Sequence, residues 1–200
     1  MTDRTARRIV DTLEQTRDLM DASLRDAALL DAVAAGAAAL TRTLRAGGKL
    51  LIAGNGGSAA DAQHIAGEIV GRFLFDRAPL AAVALTTDTS ILTAVANDYG
   101  FDHVYERQVR GLGRPGDLFL GISTSGNSAS ILRACAAARD MGLATLGFTG
   151  AGGGRMAEAC DILVRVPSER TYMIQQVHIT LGHILCLLAE EDIFGAAPAA

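Results

Sequence analysis

The chain has 200 residues, half of them hydrophobic, and a net charge of −4. That length buries one good core and suggests a single domain. The acidic balance and the lack of any Lys/Arg-rich stripe exclude nucleic acid as the main ligand, because such binding rests on phosphate neutralisation; small anionic metabolites remain open.

No uninterrupted apolar run approaches the roughly 18 residues of a membrane span. The opening "MTDRTARR" lacks the apolar centre of a signal peptide. A cytoplasmic location with no membrane partner is therefore expected. The three cysteines, Cys135, Cys160 and Cys186, are odd in number and widely spaced in apolar surroundings, which fits reduced, buried thiols.

From Thr2 to about Arg45 the apolar residues Ile9, Leu13, Leu19, Leu24, Leu29, Leu30 and Val33 recur every three or four positions among charges. This predicts two helices, breaking between Asp26 and Asp31. In "RAGGKLLIAGNGGS" the period changes: a glycine stop, a short apolar run and a glycine-rich turn predict a buried parallel strand that feeds a helix over 58–72. The same event recurs at "AAVALTT", "DLFLGISTSGNS", "ATLGFTG" and "DILVRVPS", with helical stretches between most of them.

Strands that alternate with helices in this way imply a mainly parallel sheet of the flavodoxin-like kind, covered on both faces. A last helix is predicted from about Thr171 to Glu191, apolar on much of its surface. The expected fold is a three-layer α/β/α sandwich over residues 1–200. Its helical N-terminal segment covers about 1–47, and its α/β core and C-terminal helix about 48–194. The "GAAPAA" tail is expected to fray.

In an open parallel sheet, ligands sit beyond the carboxyl ends of the strands, where strand order reverses. Two loops fall there. In "STSGNS", Ser123, Thr124, Ser125 and Ser128 place four hydroxyls just before a helix whose first amides point outward, which makes an anion site. A lone helix cap at Ser125 or Asn127 needs only one such hydroxyl, so phosphate binding is the stronger reading. "GNGGS" has no P-loop lysine and matches no dinucleotide spacing, which disfavours ATP and NAD. It reads as backbone that must approach a ligand closely.

His64 and Glu68 stand at i and i+4, on one face of the 58–72 helix. The pair suits a divalent metal or a proton shuttle, and equally a plain surface ion pair. "TYMIQQVHITLGH" embeds Gln175, Gln176, His178 and His183 among apolar residues, where they need partners. On an ideal helix Gln176 lies about 20° from His183 and Gln175 about 80°, so geometry leans to Gln176 without deciding. His103 has no partner at motif spacing and reads as structural or exposed. Asn97 and Asp98, in "VANDYGF", suit either polar ligand contacts or a turn.

Together, "LLIAGNGGSAADAQHIAGEIVGRF", "VANDYGFDHVYERQV", "GDLFLGISTSGNSASILRA" and "IQQVHITLGH" resemble the phosphoheptose isomerases of the sugar isomerase (SIS) domain group, over nearly the whole chain. The resemblance implies a single SIS domain and an aldose–ketose isomerisation of sedoheptulose 7-phosphate to D-glycero-D-manno-heptose 7-phosphate. That reaction opens the route to activated heptoses for lipopolysaccharide or capsule. It also implies a homotetramer with one Zn²⁺ per subunit.

Carried over by position, the resemblance gives the phosphate to Ser123, Thr124, Ser125 and Ser128, and sugar phosphate contacts to Asn55, Gly56 and Gly57. Asn97 and Asp98 become further substrate contacts. His64, Glu68, Gln175 and His183 become the metal ligands, which selects Gln175 over Gln176, and Glu68 and Gln175 also face the substrate. Glu68 is the implied base and His183 the implied acid. Tyr172 stands where some relatives carry an acidic residue, and receives no role. Two alternatives accompany this reading: a non-catalytic SIS protein of the replication-initiator-associating type, and an isomerase for another phosphosugar.

Overall fold

The computed structural model describes residues 3–196; the rest of the expected fraying tail lies outside them. Helix α1, Asp3–Arg25, is followed by α2, Ala27–Arg45. The break falls at Asp26, whose carboxylate caps α2 by accepting from the Leu29 amide at 3.1 Å. Strand β1 is Leu50–Gly54, α3 is Gly57–Val70 and β2 is Ala82–Ala84. Next come α4, Thr89–Tyr99, and α5, Val104–Leu112. Strand β3 is Leu118–Ile122, α6 Ala129–Asp140 and β4 Ala144–Gly150. The short α7, Met156–Ala159, β5, Ile162–Val166, and α8, Thr171–Phe194, complete the chain.

All strand pairs are parallel, in the order β2-β1-β3-β4-β5. Because side chains alternate across a strand, the sheet feeds two cores. Leu50, Ile52, Leu118, Leu120 and Phe148 face α1, α2, α3 and α8. Leu51, Ala53 and Phe119 face α5 and α6. The expected three layers are present. Order reverses between β1 and β3, where Gly54 pairs with Ile122, so the two ligand-facing loops start level with each other.

The amphipathic N-terminal stripe divides. Leu19, Leu29 and Val33 are buried, whereas Leu13 and Leu24 are 65% and 71% exposed. Helices α2 and α8 are also long and apolar enough, by length and composition, to cross a membrane, which corrects the sequence expectation. Each is half buried against the rest of the fold, as core helices are.

Helices α3 and α8 meet closely, since a Cβ on Gly182 would stand 2.7 Å from Cδ1 of Ile65. A buried ion pair ties the same two helices together. Arg77 donates through Nε to Glu190 of α8 at 2.7 Å, and through its other nitrogens to the Glu68 and Ile69 carbonyls at the end of α3. Glu190 also accepts from the Phe73 and Leu74 amides. Burial alone would push its pKa up; those two amides and the guanidinium outweigh it and hold the pKa low.

The stabilisation from this lowered pKa is present above the ordinary glutamate value and is lost as pH falls through the folded one. Arg77→Ala leaves a buried carboxylate without its cation. It should cost about 3–5 kcal/mol and lower the thermal midpoint by about 10 °C, read by circular dichroism at pH 7. A midpoint within two degrees of the parent would show that the clamp contributes little.

Candidate active site

The serine loop follows β3 without a break. Ser123 is buried, and its hydroxyl lies 3.0 Å from that of Ser128 and 3.5 Å from that of Ser125. Ser128 is the N-cap residue of α6, yet its side chain makes no capping bond. Ser125 accepts from the Asn127 amide within the loop. The hydroxyls thus converge on one another, and the α6 amides keep no side-chain cap. Helices α2 and α4, by contrast, are capped by Asp26 and Asp88. Helix α3 likewise starts at Gly56 without a side-chain cap. Two uncapped helix N-termini therefore open at the switch point, and their dipoles favour an anion there.

Asn55 links the two loops. Its amide donates to Ser130 Oγ at 3.1 Å, and its carbonyl oxygen accepts from the Tyr105 hydroxyl at 3.1 Å. That hydroxyl also reaches the Gly54 carbonyl at 2.7 Å, and burial pushes the Tyr105 pKa up to about 12. Sequence reasoning gave Tyr105 no part; an aromatic in "NDYGFDHVYERQ" carries no sign of the loop it will meet. Thr124 is half-buried, while Ser125, Gly56 and Gly57 are exposed at the mouth.

The titratable groups gather from two helices. Nε2 of His64 lies 2.9 Å from Nε2 of His183 and 3.1 Å from Oε1 of Glu68. Their ligand-type atoms all fall within 4.8 Å. Two imidazole nitrogens at 2.9 Å repel unless a proton or a cation is shared between them. The Phe73 ring stacks on His183 with centroids 5.7 Å apart.

The two glutamines part company. Gln175 sits at the glycine loop: a Cβ on Gly57 would stand 2.6 Å from its Nε2. Oε1 of Gln176 is instead buried without a hydrogen-bond partner. The angular preference for Gln176 measured only the distance to His183, whereas the loop opposite is what meets Gln175. His178 belongs to the core, bonded through Nε2 to the Thr149 carbonyl, and burial lowers its pKa to about 4.

Asp61, one turn before His64, was not singled out in the sequence. Its Oδ2 is buried without a partner, and desolvation raises its pKa against the opposing pull of His64. His103 does have a partner that spacing did not suggest, Glu106, at 2.9 Å. Asn97 and Asp98 lie exposed in the last turn of α4, bonded to each other at 2.8 Å.

Residues 12–150 match the SIS domain family. The phosphoheptose isomerase of Rhodospirillum rubrum is 59% identical over 162 residues, 81% of this chain and 86% of that one. The chain belongs to the phosphoheptose isomerase family. A Burkholderia pseudomallei phosphoheptose isomerase is 54% identical over 94% of this chain and 95% of its own. A solved phosphoheptose isomerase from Neisseria gonorrhoeae superposes with a TM-score of 0.88 at 43% identity, covering 94% of this chain and 99% of its own. This phosphoheptose isomerase chain thus has the fold expected from its sequence.

Gly57 gives a test that separates site from scaffold. Alanine there meets only the tip of a flexible glutamine, so stability should stay within about 0.5 kcal/mol. Displacing Gln175 should cut kcat/KM by about tenfold or more, read by steady-state kinetics beside a melting curve. Unchanged kinetics would remove Gln175 from the site.

Proposed function

We infer that this chain interconverts sedoheptulose 7-phosphate and D-glycero-D-manno-heptose 7-phosphate, the first step toward activated heptoses. The observation that supports it best is the gathering of His64, Glu68 and His183 beside a phosphate-suited serine loop, in a chain of this family. A binding protein has no need of that second cluster.

The reaction moves a carbonyl between C2 and C1. Ser123, Thr124, Ser125 and Ser128 hold the phosphate, with the α6 amides behind them. Asn55, Gly56 and Gly57 contact the sugar phosphate chain, Gln175 reaches it from α8, and Asn97 and Asp98 supply further polar contacts. Held by its far end, the sugar places C1 and C2 against the helix pair. Glu68 takes the proton from C1 while His183 donates one to the C2 oxygen, giving an enediol. The proton on Glu68 then goes to C2 and His183 recovers one from the C1 hydroxyl, leaving the C1 aldehyde.

His64, Glu68, Gln175 and His183 form the donor set for one Zn²⁺ per subunit. Two imidazoles, a carboxylate and an amide suit that ion, and the short nitrogen–nitrogen approach supports a shared cation. When bound, zinc would polarise the sugar carbonyl and offset the charge of the enediolate. The exposed apolar face of α1, with Ile9, Val10 and Leu13 each near or above half exposed, supports burial against further copies, and we assign a homotetramer. A phosphorylated sugar substrate fits a cytoplasmic setting.

Three measurements test this. Turnover of sedoheptulose 7-phosphate should fall by a factor of about 10²–10⁴ in Glu68→Gln and drop on chelation, with activity and bound zinc returning together. Ser128→Ala should raise KM several-fold with kcat kept, since that hydroxyl caps no helix. Light scattering should give a tetramer; a zinc-replete tetramer without turnover would end the enzyme reading.

A further inference from the structure

We propose that Cys160 and Cys135 form a peroxide-oxidisable dithiol that closes to an intramolecular disulfide. Their sulfurs lie 3.7 Å apart, although 25 residues separate them in the chain. Cys135 projects from α6, and Cys160 follows α7 at the start of the turn into β5. The space is cleared from below. Gly121 of β3 and Gly147 of β4 are direct cross-strand partners. A Cβ on Gly121 would stand 3.5 Å from the Cys135 sulfur, and one on Gly147 would stand 2.8 Å from the Cys160 sulfur. The absence of a side chain at Gly147 is what clears room for the Cys160 sulfur, while Gly121 lies in ordinary contact with that of Cys135.

The two sulfurs are not equivalent. Cys135 is fully buried, and Cys160 is partly exposed. The hydrogen bond between the two thiols lowers the Cys160 pKa and raises that of Cys135, and the Arg139 guanidinium favours the Cys160 thiolate. Cys160 is thus the attacking thiolate and Cys135 the resolving thiol. In the first step a Cys160 S–O bond forms as the peroxide O–O bond breaks, releasing hydroxide and leaving a sulfenic acid. In the second, the Cys135 sulfur displaces that oxygen as water. Two thiols and one hydrogen peroxide give one disulfide and two waters, with two electrons passing from sulfur to peroxide. Closing from 3.7 Å to about 2.05 Å asks for a small approach of two short side chains.

The bridge would join the two supports of the serine loop. Helix α6 begins at that loop, and the α7 turn holds it from the other side. The Met156 amide donates to the Gly126 carbonyl at 3.0 Å, and the Arg155 amide to Asn127 Oδ1 at 3.0 Å. Drawing α6 and α7 together therefore changes the loop, a consequence that rests on its reading as the phosphate site.

The test uses the full chain, reduced, desalted and exposed to one to twenty equivalents of hydrogen peroxide. Free thiols are then alkylated, and the unreduced digest is read by mass spectrometry. The expected product is a Cys135–Cys160 cross-linked peptide, two hydrogens lighter than its parts and reversed by dithiothreitol. Cys186, whose pKa burial pushes up to about 12, should stay alkylated. In Cys135→Ala a dimedone adduct should accumulate on Cys160, and in Cys160→Ser none should form on Cys135. Recovery of both cysteines as free thiols at twenty equivalents, or oxidation of Cys186 ahead of them, would overturn the proposal. The cross-link is read by mass alone, so it stands or falls apart from the isomerase reading. In the active enzyme it should raise KM several-fold, and an unchanged KM would overturn the coupling to the loop.

Discussion

The contact between α3 and α8 is what the site depends on. His64 and His183 are 119 residues apart in the chain, and their ring nitrogens come within 2.9 Å only because those two helices pack closely. Ile65 fills the place that a side chain at position 182 would occupy, so the approach is set one residue away from each histidine. Arg77 and Glu190 fix the same pair of helices from the far end. Their ion pair is nearly shut off from solvent and fully hydrogen-bonded, the condition under which such a pair specifies an arrangement rather than merely costing desolvation.

The sheet sets the second half of the site by a different constraint. Parallel register brings the ends of β1 and β3 level, and the reversal of strand order leaves the space between their loops open to a ligand. Two helix N-termini face that space without side-chain caps. In the proposed function, phosphate binding and proton transfer would therefore use separate parts of the fold. Backbone amides and hydroxyls, which need no titratable group, would take the fixed charge. Glu68 and His183 would be kept for the reacting carbons. Asn55 bridges the two, since its side chain ties the glycine loop to α6 through Ser130.

Much of this was legible in the sequence because it rests on local punctuation. Glycine runs after apolar runs located β1 and β3, and the hydroxyl density of residues 123 to 128 pointed to the loop where the structure gathers three serine hydroxyls before an uncapped helix. The i, i+4 spacing of His64 and Glu68 fixed their shared face, since a helix imposes that regardless of context. What stayed hidden depends on which surfaces meet. Tyr105 and Asp61 matter through what covers them, and Gln175 through the loop opposite it, none of which periodicity records. The apolar stripe that runs from α1 into α2 divides in a way that periodicity does not record. Leu19, Leu29 and Val33 cover the core while Ile9, Leu13 and Leu24 face outward, and pattern alone does not distinguish a core face from one left for other copies.

The three gathered groups are not held alike, and the difference follows their tasks. The backbone of Glu68 is anchored because its carbonyl accepts from Arg77, and the His183 ring is confined by Phe73. His64 has 49% of its side chain exposed and meets Glu68 and His183 through a single ring nitrogen. Proton transfer to and from carbon demands fixed geometry, because a misplacement of an ångström costs orders of magnitude in rate. A shared proton or ion between the partners needs only a donor within reach. The rigid supports therefore fall on the residues proposed as base and acid, and the freedom to adjust falls on His64 between them, to which the proposed reaction gives no proton transfer to the sugar.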